Sequence, residues 1–418
     1  DAASNALYGA RGANGVIMVT TKKAKAGEAK VTFDAKWGVN SKALREYEVI
    51  KSPELYYETH YQSLYNYYNA QNPATAYEKA AAGLTAQGAG GLGYNIYTVP
   101  EGQFLIGRNG KLNPSATLGN VINYKGEDYL LMPDDWMDEA YDNAFRQEYN
   151  VNIAGANERS NFFASLGYLD NTGIIKSSEM QRYTARLKAD YQAKKWLRVG
   201  ANAAYTNYKG YLTEESGDSA STANIFAATT AIAPIYPLYV RDGKGKKMYD
   251  ERGNVIYDYG TKTNAGSNAG LQRPFMPNTN AYSDHLLDQH NATTHMASFN
   301  GFADVIFPLG FKFSFNGGVS MSQGESLTTG NILYGQNAMT GGYISRSSGI
   351  AWSYTLQQIL SWNHQFGQHN VDAMIGHENN FDMSRSLAAS KSGLFTTDAT
   401  ELSQALKMSG MSSSLSRY

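Results

Sequence analysis

Strict two-residue alternation, in segments joined by connections that are short and long in turn, constrains this chain more than any other feature. Over 31–39 one side carries Val31, Phe33, Ala35, Trp37 and Val39, and the other Thr32, Asp34, Lys36 and Gly38. Over 183–193, Tyr183, Ala185, Leu187, Ala189, Tyr191 and Ala193 oppose Thr184, Arg186, Lys188, Asp190 and Gln192. Residues 197–205 set Leu197, Val199, Ala201, Ala203 and Tyr205 against Arg198, Gly200, Asn202 and Ala204. Residues 311–319 set Phe311, Phe313, Phe315 and Val319 against Lys312, Ser314 and Asn316. Successive side chains of a strand point to opposite faces, so each segment reads as a strand with one apolar and one wet face. Further strands are expected at 147–153, 161–169, 297–307, 352–362 and 370–377. The total is about nine, each near the roughly ten residues that cross a bilayer at a tilt.

The connections decide the class. Tight ones fall around 157–160, 193–196, 308–310 and 367–369, and longer ones at 40–146, 170–182, 207–296 and 323–351. A soluble sandwich has no reason to gather its long loops at one end, whereas outer-membrane barrels have short periplasmic turns and long extracellular loops. Aromatics stand near the ends of the apolar faces: Trp37, Tyr205, Tyr191 with Trp196, Trp352 and Trp362. Amphipathic rings favour the headgroup level of a membrane. The fold class expected is therefore all-β, a transmembrane antiparallel β-barrel. With nine strands the last runs outward, and an odd open set cannot close as even-numbered bacterial barrels do. The chain also starts at Asp1 without a signal sequence. Both features read as an internal fragment, truncated at both ends.

Composition agrees. Charged residues are only 17%, against 31 Tyr and 41 Gly in 418 residues, where about a quarter charged is ordinary for soluble chains. Tyr, Asn, Ser, Thr and Gly replace the missing charge, which suits a surface apolar on one side and uncharged but wet on the other. Mean hydropathy is -0.45, and no run of about 18 apolar residues marks a membrane helix, a test blind to alternating strands. A net charge of -1 implies no broad attraction to nucleic acid. The absence of cysteine excludes disulfides, thiolate metal sites and a Cys nucleophile.

Residues 1–23 read as a short helical turn, a Gly-rich bend and a buried strand, and 24–30 as a polar linker before the barrel portion at 31–418. The run Tyr8, Gly9, Ala10, Arg11, Gly12, Ala13, Asn14, Gly15, Val16 and Ile17, followed by Val19, Thr20, Thr21, Lys22 and Lys23, closely resembles the end of the plug domain in SusC/RagA-type TonB-linked outer-membrane proteins of Bacteroidetes. Ala10 and Met18 replace the family's common Ser and Leu. The likeness continues through 91–95, Asp135 and Trp136, 145–149, 163–168, 173–175, 183–202, 233–239, 310–313 and 369–377, so it spans essentially the whole chain.

The resemblance implies part of a larger plugged barrel in the Gram-negative outer membrane, closed outside by a SusD-like lipoprotein lid. It implies uptake of oligosaccharides, or in some cases peptides, with energy delivered through TonB, whose contact box would lie upstream. Tyr8, Gly9, Arg11, Gly12, Asn14 and Gly15 are then the plug motif, with Arg11 and Asn14 as structural or relay residues. Outer-membrane lipid would surround the wall, and Arg186, Lys188, Asp190, Arg198 and Asn202 would line the wet interior.

Other constellations have plain readings. The glycines of 88–93 lack the strand before and the Lys-Ser/Thr helix after that a phosphate loop needs. Asp284, His285, Asp288, His290 and His295 could in principle bind Zn²⁺ or Fe²⁺, but their spacing matches no known site and they read as a solvated loop. Residues 239–259 are not spaced as a Ca²⁺ loop and read as hairpins at 235–240, 247–249 and 255–259. Asp134 with Asp135, and Glu214 with Glu215, read as loop acids rather than glycosidase carboxylates. The stripe Leu55, Tyr56, Tyr57, His60, Tyr61, Leu64, Tyr65 and Tyr68 predicts a helix over 53–70 that packs, rather than one that stacks on sugars. Nothing supports an enzyme, a metal or a cofactor. The competing function is a non-transporting glycan-binding receptor or adhesin on the same barrel.

Overall fold

The computed structural model describes residues 27–43, 48–88, 90–211 and 224–418. The plug motif expected at 1–23 lies outside the described residues. So do the linker positions 24–26, while 27–30 belong to the first strand. Ten antiparallel strands form one sheet in chain order. They are β1 (Gly27–Asn40), β2 (Ala144–Ala156), β3 (Ser160–Thr172), β4 (Glu179–Lys194) and β5 (Leu197–Tyr211). Then follow β6 (Gln289–Ile306), β7 (Phe311–Gly330), β8 (Tyr343–Phe366), β9 (His369–Leu394) and β10 (Ala405–Arg417). The expected count of nine is corrected to ten, because β10 pairs with β9. Its alternation is blurred by serine and by a register shift at Ser390/Lys391. The odd-parity argument falls with it, since the chain returns inward through β10. Among the described residues the sheet is nonetheless open, with β1 and β10 as edges bonded to one neighbour each. A membrane barrel tolerates no free edge, so this is part of a barrel wall.

Short and long connections alternate: β3, β5, β7 and β9 each follow a tight turn, and the loops lie at the other end. The strands outrun their expected limits there. β8 has 24 residues and β9 has 26, about twice what a bilayer crossing needs. The loop expected at 323–351 therefore shrinks to 331–342.

Register separates the two faces. A row across the sheet runs Val31, Ile153, Ala164, Leu187, Ala203, Phe299, Val319, Tyr354 and Phe381. Val31 (63%), Leu187 (58%), Phe299 (54%), Ile153 and Val319 stay exposed, and Ala164, Ala203, Tyr354 and Phe381 are half-buried. An apolar face this wide and this bare is stable only against a non-aqueous medium. Its upper margin carries Trp37 edge-on to Tyr149, Tyr149 stacked on Tyr168, Tyr168 against Tyr183, and Trp352 against Phe381. Its lower margin carries Phe311 and Trp362, whose indole donates to the Leu309 carbonyl at 3.0 Å. Ten residues separate Trp352 from Trp362 on β8, or roughly 33 Å of strand. At the usual tilt that is about 25 Å of height, the thickness of an outer-membrane apolar band. Gln358 and His377 interrupt the band but satisfy each other at 2.7 Å.

The described parts of the two longest connections, 41–143 and 212–288, fold against each other into one packed unit at the loop end. Its first helix, α1 (Pro53–Gln71), starts with Pro53 and is capped by Ser52, whose hydroxyl accepts from the Leu55 amide. The helix confirms the Tyr stripe and its packing role: Tyr57, Tyr61 and Leu64 enter a core with Leu84, Leu92, Tyr94, Ile96, Leu131, Ile235 and Tyr236. The expected hairpins appear as three antiparallel bridges, Tyr239 to Tyr257, Arg241 to Lys247 and Tyr249 to Val255.

Candidate functional site

Two surfaces could meet a ligand: the polar face of the wall and the loop unit at its rim. On the polar face, β4 places Arg186, Lys188 and Asp190 beside Asn202 and Arg198 of β5. The Arg186 Nε donates to Asn202 Oδ1 at 3.2 Å, and the Arg198 guanidinium lies 3.9 Å from Asp190. With Asn300, Phe302, Asp304, Asn316, Thr355 and Gln357, four of these (Lys188, Asp190, Arg198, Asn202) line a cup of about 550 Å³. All five residues expected to line the wet side thus share one face. Asn300, Asp304 and Gln357 were not singled out from sequence, and Asn316 was placed only on the wet side of its own segment. They are spread over β6, β7 and β8, and cross-strand register gathers them. Amides and opposed charges of this kind hydrogen-bond hydroxyl or amide groups; they do not form a paired acid–base centre.

The loop unit is held by contacts between its two segments. The Asp134 carboxylate takes a two-pronged pair from Arg241, at 2.5 Å and 3.0 Å, and accepts the Leu238 amide at 2.8 Å. Bidentate guanidinium pairs of this geometry are among the strongest side-chain contacts. Trp136 donates to the Tyr236 carbonyl at 3.0 Å, and the Tyr236 hydroxyl donates to the Leu92 carbonyl at 2.9 Å. At the centre Asp258, fully buried, accepts from the Tyr94 hydroxyl at 3.0 Å, the Asn268 amide at 2.9 Å and the Gly260 N–H at 2.6 Å. Burial pushes its carboxyl up, while Arg273 and these donors pull the other way. Arg273, 1% exposed, donates to the Thr279 carbonyl at 2.5 Å and lies over the rings of Trp136 and Tyr236.

Gly260 makes this packing possible. Its φ is +58°, and a Cβ there would stand 2.1 Å from Arg273 Nε. Gly260→Ala is expected to cost about 1–3 kcal/mol through overpacking and strain. Limited proteolysis of the folded protein should then cut within 224–288 faster than in wild type, with the strand region unchanged.

The remaining candidates are structural. Gly91 and Gly93 press on backbone, where a Cβ would meet Gly83 O at 2.4 Å and Gln272 O at 2.2 Å respectively, which leaves no room for a phosphate. Asp135 caps the helix α2 (Trp136–Ala140), and Asp242 and Asp250 accept backbone amides of their own turns. Glu214 and Glu215 lie outside the described residues. Of the His-rich group, His285 meets the Lys176 carbonyl at 2.8 Å and His295 meets the Tyr205 hydroxyl at 2.8 Å. Among the described residues no group of three or more His, Cys, Asp or Glu converges as a metal site.

No protein-family model matches the chain. Among curated proteins it is similar to TonB-dependent receptor P3 of Formosa agariphila, 23% identical over 379 residues, covering 90% of this chain and 29% of that protein. It is similar as well to TonB-dependent receptor SusC of Bacteroides thetaiotaomicron, 24% identical over 395 residues, 90% of this chain and 31% of that protein. The chain thus spans about a third of the length of these relatives. Among solved structures, the RagAB peptide importer in its open-open state superposes with a TM-score of 0.67 at 18% identity, covering 100% of this chain and 42% of that one. Its closed-closed state gives 0.66 at 17% identity, covering 99% and 41%.

Proposed function

We propose that this chain is part of a SusC/RagA-type TonB-dependent receptor of the Gram-negative outer membrane, and that the whole protein imports nutrients across that membrane. The observation that carries the reading is the pairing of a lipid-suited outer face with a hydrogen-bonding inner one, topped by a folded loop unit at one rim. That combination is a conduit wall with a structured mouth. The cargo is an oligosaccharide or a peptide, whose hydroxyls or amides match the Asn, Gln, Asp and Arg side chains of the wall. Arg186, Lys188, Asp190, Arg198 and Asn202 line the lumen around the plug, and Arg11 and Asn14 belong to the plug's bend. A SusD-like lipoprotein covers the mouth, TonB supplies the energy, and the protein is not an enzyme.

Growth on a panel of oligosaccharides and peptides tests this. A strain lacking the whole gene should lose growth on one class, and the intact gene in a TonB-deficient strain should show the same loss. Growth unchanged by loss of the gene or of TonB would overturn import and favour the alternative, a non-transporting glycan-binding receptor or adhesin on the same barrel.

A further inference from the structure

The β7–β8 loop is tied to the loop unit through one short helix, α3 (Ala281–Leu287). Asp288, just beyond that helix, accepts the Asn331 backbone amide and side-chain amide, each at 2.7 Å, and the Asn337 side-chain amide at 3.0 Å. Asn331 in turn accepts the Leu333 and Tyr334 amides at 3.1 Å and 2.9 Å, so the start of the loop hangs on this one carboxylate. One helical turn back, Asp284 accepts the Tyr259 hydroxyl at 2.8 Å, and Tyr259 stacks on Tyr334 of the same loop. Asp288 therefore holds the loop directly and Asp284 holds it through Tyr259, and the two carboxylates repel each other.

We propose that Asp284 and Asp288 form a proton-dependent clasp, closed when the pair carries a single charge and loosened when both carboxyls ionise. Asp284 faces Asp288, Tyr259 and the distant cation of Arg273; Asp288 faces Asp284, His290, Asn331 and Asn337. Burial first and the Asp288 charge second push the Asp284 carboxyl up to about 7. A carboxyl raised in the folded state binds its proton more tightly there than in the open chain, so its contribution is complete at low pH and is lost as pH rises through about 7. Burial pushes the Asp288 carboxyl up as well, while the Asn331 and Asn337 amides and His290 pull it back.

The chain holds no cysteine, so spin labels introduced at Met339→Cys and Glu251→Cys in the whole protein report the gap by pulsed electron resonance. The expected distance distribution is narrow at pH 6 and broad at pH 9, changing about half-way near pH 7. Asp284→Asn should keep it narrow at both pH values, and Asp288→Asn, which lacks the second acceptor oxygen, should broaden it at both. A wild-type distribution indifferent to pH, or an Asp284→Asn distribution that still broadens, would overturn the clasp.

Discussion

Leu187→Arg is expected to weaken the membrane-inserted protein by about 2–4 kcal/mol, the cost of a guanidinium on the lipid face of an outer-membrane barrel near its mid-plane. Leu187 stands midway between Tyr183 and Tyr191 on β4, paired with Ala164 and Ala203. Those alanines are too short to shelter a charge, and the side chain is already 58% exposed. Ser320→Arg, on the opposite face, should change stability by well under 1 kcal/mol, because that face is hydrated in a wet lumen. Denaturant titration of the whole protein folded into lipid vesicles measures both. Equal losses for the two variants would mean that the faces do not see different solvents.

Asp258→Ala should be the most damaging change in the loop unit. It removes the buried carboxylate that Arg273 acts on electrostatically, and with it the acceptor of Tyr94, Asn268 and the Gly260 amide. Each buried donor left without its acceptor costs about 1–3 kcal/mol. Asp258→Asn keeps the shape and one acceptor, and should cost less. Hydrogen exchange of the whole protein should show lost protection at 92–97 and 256–273 in the alanine variant, with the strand amides of β2–β9 still protected. Lost protection in the strands as well would mean that the loop unit and the wall fold as a single cooperative body.

Alternation made the wall legible in the sequence because its two faces meet different solvents, and the period of two survives wherever both demands hold. It failed at β10, where Ser412, Ser413 and Ser414 suit either side and a register shift breaks the phase. It also failed at the upper ends of β7–β9. There the strands pass beyond the apolar band, and Ser345, Ser347 and Ser348 carry no facial preference. The Tyr stripe of α1 was readable because helical spacing and a cap coincide. The Asp258–Arg273 centre was not: both residues sit in irregular backbone, and nothing local separates a buried loop acid from a solvated one. The polar cup was half legible, since alternation gave the face of Asp190 and Asn202 while register alone brought Asn300, Asp304 and Asn316 beside them.

The account turns on which face of the sheet touches lipid. Single spin labels placed one at a time along β8 from 352 to 362, in the whole protein in outer-membrane vesicles, settle that through collision with oxygen, which concentrates in lipid, and with a water-soluble nickel complex. The expected result is a two-residue period, with oxygen contact highest at Trp352, Tyr354, Leu356, Leu360 and Trp362 and nickel contact out of phase at Ser353, Thr355 and Gln357. Nickel contact at the first set equal to that at the second would contradict the account.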